Sequence, residues 1–240
     1  MTGSIKHIMV TTLDLEVVEF FKKNTKRVYR AKSGKDYILY DDHLLEGIKK
    51  LKLYGTYSHT KFIPIRYKLA SVEDRFALIQ GLMDSDGYAD SRRSSVGLTT
   101  TSKQLAEDIQ EVIWSLGGMC TITQKATSYK NDGVRIECKD AYVLYIQTAD
   151  NAKLFRLDRK ASKVKPRRFS KTRRIVKVEK VGRDKCRCIA VSNPNSLYLA
   201  SKACVVTHNT YCILLEALRG IGKYGYSGLI IKKELVEVGT

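Results

Sequence analysis

Apolar and polar positions alternate over residues 5–12, the two-residue period of a strand. Over residues 14–23 the spacing changes: Leu15, Val18 and Phe21 recur three residues apart and predict a helix with one apolar face. Residues 27–30 and 37–40 read as two strands of a hairpin around Ser33-Gly34. Asp42 is placed to cap a helix that continues through Lys52. A stronger helix follows. Ser71 is a good N-cap, Asp74 stands three residues on, and Leu78, Ile79, Leu82 and Met83 carry an apolar run that stops near Gly87. Residues 88–101 predict a strand pair or one long strand. Residues 102–116 predict a helix with Leu105, Ile109, Val112 and Ile113 inward, Trp114 in the core and Gly117-Gly118 as its end. Residues 119–129 and 134–139 predict a hairpin turning at Asn131-Asp132-Gly133. Residues 142–147 read as an apolar strand or the start of a helix. Beyond 170 the pattern is of short strands, at 174–181, 188–191, 197–199 and 204–206, with a turn at Asn193-Pro194-Asn195. The class is α+β.

Charge narrows the partners. Lys and Arg number 43 against 25 Asp and Glu, a net charge of +18, which favours a polyanion. The charge is concentrated: residues 153–174 hold eleven basic residues and one acid, Asp158. The six cysteines form no CxxC pair and no ligand spacing with the four histidines, which argues against zinc. No signal peptide opens the chain, and no apolar run approaches the roughly 18 residues of a membrane span. The expectation is free thiols in the reducing cytoplasm of a bacterial or phage-infected cell, with no membrane partner.

The candidate chemistry starts at Ile79-Gln80-Gly81-Leu82-Met83-Asp84-Ser85-Asp86-Gly87. Ala77, Gly81 and Ser85 recur every four residues, a stripe of small side chains that admits a second backbone at close range. Asp84 and Asp86 then stand at the helix C-terminus, where the macrodipole disfavours anions. Folding does not ask for them, so a cation or a special task is expected. The stretch resembles the motif of LAGLIDADG homing endonucleases, and the lead-in Lys61-Phe62-Ile63-Pro64 extends the match. The resemblance implies that two such helices pack side by side. It also implies that the acid before the terminal Gly, here Asp86, binds the divalent metal, Mg²⁺, used to cut DNA. Cutting a phosphodiester calls for a water nucleophile and charge neutralisation at the leaving oxygen, which a two-metal site supplies. The element order fits that family's αββαββα repeat, whose sheet is a saddle lying in the major groove of double-stranded DNA. Arg92, Arg93, Lys125 and Arg135 are then the candidates for DNA contact, joined by Lys163, Arg167 and Arg168 in the basic run. For the basic residue that helps cleavage in this family the choice is Lys160, with Lys163 the alternative. Either one serves equally well as a phosphate contact without a catalytic role.

An internal repeat bears on completeness. Val10-Thr11-Thr12-Leu13 and Leu98-Thr99-Thr100-Thr101 are both strand ends with paired threonines before a capped helix, at an offset of 88 residues. The same offset puts a counterpart of Asp86 just upstream of Met1. The expectation is a two-repeat enzyme whose first acidic helix comes from a missing N-terminal part, or is replaced by a homodimer. Thr56-Tyr57-Ser58-His59 fits the TxxH of inteins, but it leads straight into the endonuclease lead-in, so His59 is read as structural or DNA-facing.

The end of the basic run opens a different chemistry. Thr207-His208-Asn209-Thr210 resembles the C-terminal splice junction of an intein, and Cys188-Ile189-Ala190-Val191 and Leu197-Tyr198-Leu199 match that family's last two blocks. The resemblance implies that the Asn209 side-chain amide attacks its own carbonyl and breaks the bond to Thr210. His208 assists, and the Thr210 hydroxyl accepts the upstream acyl group. Many inteins carry Asp where Cys188 stands. Cys188 together with Thr207 is similar to class 3 inteins, in which that Cys is the branch-point nucleophile; a small buried strand residue is the equal alternative. Residues 210–240 resemble the piece after the P-loop of phage terminase large subunits, which makes Thr210 the P-loop Thr. The expected organisation is an incomplete first LAGLIDADG repeat at 1–60, a second repeat with its basic tail at 61–170, strands of a Hint horseshoe at 171–209 and a C-extein at 210–240. An inactive DNA-binding remnant and a split intein working in trans are the rival readings.

Overall fold

In the computed structural model the described residues are 7–166, 169, 177–180, 182, 189 and 191–208. They belong to two units, residues 1–171 and 172–240. The first unit opens with β1 (Ile8–Thr11), α1 (Leu15–Asn24), β2 (Arg27–Arg30), β3 (Asp36–Tyr40) and α2 (Asp42–Lys50). These are the elements that the alternating and helical spacings predict. β3 is the centre of an antiparallel sheet, order β1-β3-β2, and its alternate residues Tyr37 and Leu39 are buried, as are Val18 of α1 and Leu45 of α2. Asp41 caps α2 by accepting the Leu44 amide at 3.0 Å.

The second repeat follows as α3 (Ile65–Lys68), α4 (Val72–Ser85), β4 (Gly87–Asp90), β5 (Ser95–Thr100), α5 (Lys103–Ser115), β6 (Met119–Lys125), β7 (Ser128–Asn131), β8 (Val134–Glu137), β9 (Ala141–Gln147), a 3-10 turn at Asn151–Leu154 and α6 (Asp158–Ala161). The N-cap on α4 forms as read: the Ser71 hydroxyl accepts the Asp74 amide at 3.1 Å and donates to the Asp74 carboxylate at 2.9 Å. The antiparallel sheet runs β4-β5-β9-β6. Its inner face, with Val96, Leu98, Leu144, Ile146 and Cys120, packs on Ile109 and Ile113 of α5 and on Ile79 and Met83 of α4. Burial pushes the Cys120 thiol up to about 12. Trp114 is half-buried and outside this core.

Two expectations need correction here. The turn at Asp132-Gly133 forms, with φ of 48° and 81°, but it joins only β7 and β8. β6 pairs with β9 instead, so the ribbon β7–β8 is an insertion between two neighbouring strands of the sheet. Asp41, not Asp42, caps α2, and that helix ends at Lys50 and not Lys52. Residues 142–147 lie within β9 and are the strand of the two alternatives.

The weak sequence repeat is a structural repeat. The order β1-β3-β2 with α1 between β1 and β2 reproduces β5-β9-β6 with α5 between β5 and β6. The threonines do the same job in both copies: Thr12 accepts the Asp14 amide and Thr100 accepts the Ser102 amide, each at 3.1 Å. α4 and β4 have no counterpart among the described residues of the first repeat.

In the second unit β10 (Leu197–Ala200) and β11 (Val205–His208) form an antiparallel hairpin. Asn193 accepts the Asn195 amide at 3.0 Å, which makes the predicted turn. Residues 177–180 carry no strand where one was predicted. A horseshoe is not displayed by the described residues.

Candidate active site at the end of the acidic helix

Asp86 is the C-cap of α4, its amide donating to the Leu82 carbonyl at 3.0 Å. Its side chain is exposed, and among the described residues none hydrogen-bonds its carboxylate. Asp84 differs in kind. Its Oδ1 accepts the Arg156 amide at 3.0 Å and the Leu157 amide at 3.2 Å, so it is a strut between α4 and the segment before α6. The cation expected at this helix end is supplied by the chain itself. Lys160 is 7% exposed, and its Nζ donates to the carbonyls of Met83 (2.9 Å), Asp84 (2.6 Å), Ser85 (3.3 Å) and Gly87 (2.8 Å). Last-turn carbonyls have no partner within a helix, and a positive charge there opposes the dipole. Burial and the neighbouring Arg159 lower the Lys160 pKa, while Asp84, Asp14 and Asp86 work against that shift. Gly87 is needed where it stands, because a Cβ would lie 2.5 Å from the Met83 carbonyl oxygen. Lys160, read as a cleavage-assisting base or phosphate contact, is therefore enclosed by backbone carbonyls. Lys163, three residues on, is exposed.

The small-residue stripe of α4 is bare at its C-terminal end, while Ala77 is half-buried. Gly81 and Ser85 are exposed, and a Cβ at Gly81 would meet nothing within 4 Å. A cleft of about 640 Å³ separates this face from the first repeat. Gly81, Asp84 and Asp86 line one side, with Leu13, Asp14 and Phe20 on the other. Arg159 spans it in a two-pronged pair with Asp14, its Nη2 donating to Oδ2 at 2.7 Å. The Arg159 hydrogen bond holds the Asp14 carboxyl below the usual range, and the Arg159 pKa rises in turn. As a test of metal fit, Asp86 offers one free hard-oxygen donor of the kind Mg²⁺ takes. Among the described residues no cluster of three His, Cys, Asp or Glu completes a site.

The DNA-contact candidates separate by position. Opposite the core, the outer sheet face carries Tyr88, Thr99, Thr121, Thr123, Val143 and Tyr145. Lys125 is on this face, in register with Ala141. Gly97 is required by its close neighbours: a Cβ would collide with the Leu144 carbonyl oxygen and stand 2.9 Å from the Tyr88 hydroxyl. Arg92 and Arg93 are exposed in the turn between β4 and β5, where Asp90 accepts both amides at 2.8 and 3.2 Å. They are turn residues, not strand residues. Arg135 is on the inserted ribbon, donating to the Ser128 hydroxyl at 2.9 Å, and not on the four-stranded sheet. His59 is exposed and stacked on Tyr57, with ring centroids 5.8 Å apart. Thr207 and His208 are at the end of β11, in register with Tyr198 and Leu197. Arg167, Arg168, Cys188, Asn209 and Thr210 lie outside the described residues. Sequence reasoning brought Asp86 and Lys160 together. It missed the Asp84 strut, the Asp14–Arg159 pair and the anchoring of Gln80, whose side chain donates to the Lys153 carbonyl at 2.8 Å. These partners are 72 to 145 residues apart, and no local signal marks them.

Residues 73–157 match the LAGLIDADG-like domain, a range that includes α4, the four-stranded sheet and the Asp84 strut. The replicative DNA helicase DnaB of Mycobacterium intracellulare is 37% identical over 181 residues, which is 73% of this chain and 30% of the helicase. The ATP-dependent DNA helicase Hel308 of Methanocaldococcus jannaschii is 36% identical over 81 residues, 32% of this chain and 7% of that protein. The chain thus spans less than a third of the length of the curated relatives it matches. Among solved structures, mesophilic variants of the homing endonuclease I-DmoI align at 19% identity and a TM-score of 0.41, over 64% of this chain and 81% of theirs. I-DmoI in complex with DNA and Mn aligns at 18% identity and a TM-score of 0.39, over 61% and 78%.

Proposed function

We propose that this chain, whose residues 73–157 form a LAGLIDADG-like domain, is the C-terminal part of an intein bearing a homing endonuclease that cuts double-stranded DNA. The observation that carries the reading is Asp86, a carboxylate unpartnered among the described residues and held at the end of α4 beside the exposed Gly81 and Ser85. A divalent cation bound there, Mg²⁺ by ligand chemistry, supplies Lewis acidity and a water of lowered pKa. Asp86 is half of an acidic pair. The second acid belongs to another helix packed on the Gly81–Ser85 face, from an N-terminal intein segment or a second copy. Duplex DNA lies along the outer sheet face, met by Arg92, Arg93, Lys125 and Lys163.

The splicing half rests on the sequence Thr207-His208-Asn209-Thr210, whose first two residues end β11. The Asn209 amide nitrogen attacks the Asn209 carbonyl carbon, closing a succinimide and releasing the Thr210 amine, with His208 as proton donor. Cys188 is the branch-point nucleophile in the class 3 version. The match to a replicative DNA helicase over 73% of this chain favours a helicase as host; the terminase-like reading of residues 210–240 rests on sequence alone.

Two substitutions test the halves separately. In protein reconstituted with the second acidic helix, Asp86→Asn is expected to lower Mg²⁺-dependent nicking of target DNA by about a hundredfold or more and to leave the gel shift in place; unchanged cutting would reject Asp86 as ligand. Asn209→Ala in protein reconstituted with its N-terminal partner is expected to stop cleavage before Thr210, and persistent cleavage there sinks the splicing claim. One free acid in the cleft also favours a second reading, a DNA-binding remnant. A salt-sensitive shift without cutting by the reconstituted protein would support it.

A further inference from the structure

We infer that Lys160 is a positioning residue that aims Asp86, holding the backbone on either side of it, and that it does not touch the reacting phosphate. The inference rests on reading Asp86 as the metal ligand. An ammonium has three protons, and four carbonyls lie within 2.6–3.3 Å of this one. With 7% of the residue exposed, no proton is left for a phosphate or a water. Which carbonyls are held matters as much as their number. Ser85 and Gly87 flank Asp86 directly, and Met83 and Asp84 belong to the turn before it. Fixing these peptides fixes the direction in which the Asp86 side chain leaves the helix.

Lys160 is itself anchored. Arg156 and Leu157 donate their amides to Asp84, Arg156 Nε donates to Gln80 at 2.9 Å, and Gln80 donates to the Lys153 carbonyl. Leu154, Phe155 and Leu157 are buried between these contacts. The segment from Lys153 to Lys160 thus clasps the last two turns of α4. Arg159 ties the same segment to Asp14 of the first repeat. Lys163 stays exposed and free to meet a phosphate.

The test uses the full 240-residue chain with Lys160→Met, which keeps the side chain's length and removes its charge. Amide hydrogen exchange is followed by NMR, and Mn²⁺ binding by water-proton relaxation. In Lys160→Met the amides of Asp86 and Gly87 should exchange about tenfold faster or more, with Leu98 and Leu144 as protected as before. Mn²⁺ affinity should fall by about 10- to 100-fold, the usual effect of losing a group that orients a ligand. Lys160→Arg should recover part of both. Wild-type exchange and Mn²⁺ affinity in Lys160→Met would overturn the proposal, and lost cleavage alongside them would make Lys160 a group that touches substrate. Should Lys160→Met fail to fold, Asp84→Ala cuts the clasp from the other side and must loosen the same two amides; no local change there overturns the proposal as well. Asp86→Asn separates the two claims. Mn²⁺ binding that survives it rejects Asp86 as ligand, while the clasp stands or falls on the exchange at Asp86 and Gly87.

Discussion

Asp108 of α5 is 2% exposed and charged, a position that would unfold a protein without partners. It has three: the Ile63 amide at 2.8 Å, Lys68 Nζ at 2.9 Å and Gln104 Nε2 at 3.0 Å. Lys68 also reaches Glu111 at 3.0 Å. Burial alone would lower the Lys68 pKa, and the two carboxylates outweigh it and raise it. The network fixes the chain that leads into α4, since Ile63 and Lys68 lie just ahead of Ser71. Asp108→Ala would leave the Ile63 amide unpaired and the Lys68 ammonium half-supported. The expected loss is about 3–5 kcal/mol, the cost of removing one partner of a buried pair. Urea unfolding followed by circular dichroism checks it: a midpoint shift worth less than about 1 kcal/mol at unchanged slope would show that the network contributes little.

At the scale of elements, what was legible in the sequence was what depends on neighbours along the chain. α4 carries its own start in Ser71 and Asp74 and its own end at Gly87, so it forms where those residues put it. β1, α1, the β2–β3 pair and α2 follow from spacing alone. The strand pairing of β6 did not follow. Asp132-Gly133 is a strong hairpin signal and it was obeyed, but only β7 and β8 answered to it, because the hydrogen-bonding edge of β6 is taken by β9 and its apolar face by the core. The candidate site divides in the same way. Two carboxylates at a helix end read alike, and amides at Arg156 and Leu157 decide that Asp84 is a strut, while Asp86 has no hydrogen-bond partner among the described residues. Lys160 and Lys163 also read alike in a basic run. Folding of the segment onto α4 buries one and exposes the other.

For the whole molecule the governing quantity is the net charge of +18, over half of it in residues 153–174. Charge of this size does not specify a fold; it specifies a partner and the way binding responds to salt. Each phosphate neutralised releases counterions, so the affinity for duplex DNA should fall linearly in log K against log [NaCl]. The slope should lie between about −5 and −9 for six to ten phosphate contacts. Fluorescence anisotropy of a labelled duplex from about 50 to 200 mM NaCl, without divalent metal, measures it. Lys125→Gln, on the outer sheet face, should reduce the slope by about one. Asp86→Asn should leave it unchanged, since that carboxylate is proposed to meet a metal and not a phosphate. A slope shallower than about −2 would remove duplex DNA as the partner whatever the fate of the acidic helix. Because the slope counts phosphates and not bases, the measurement needs no knowledge of the target sequence, and it separates binding from cutting.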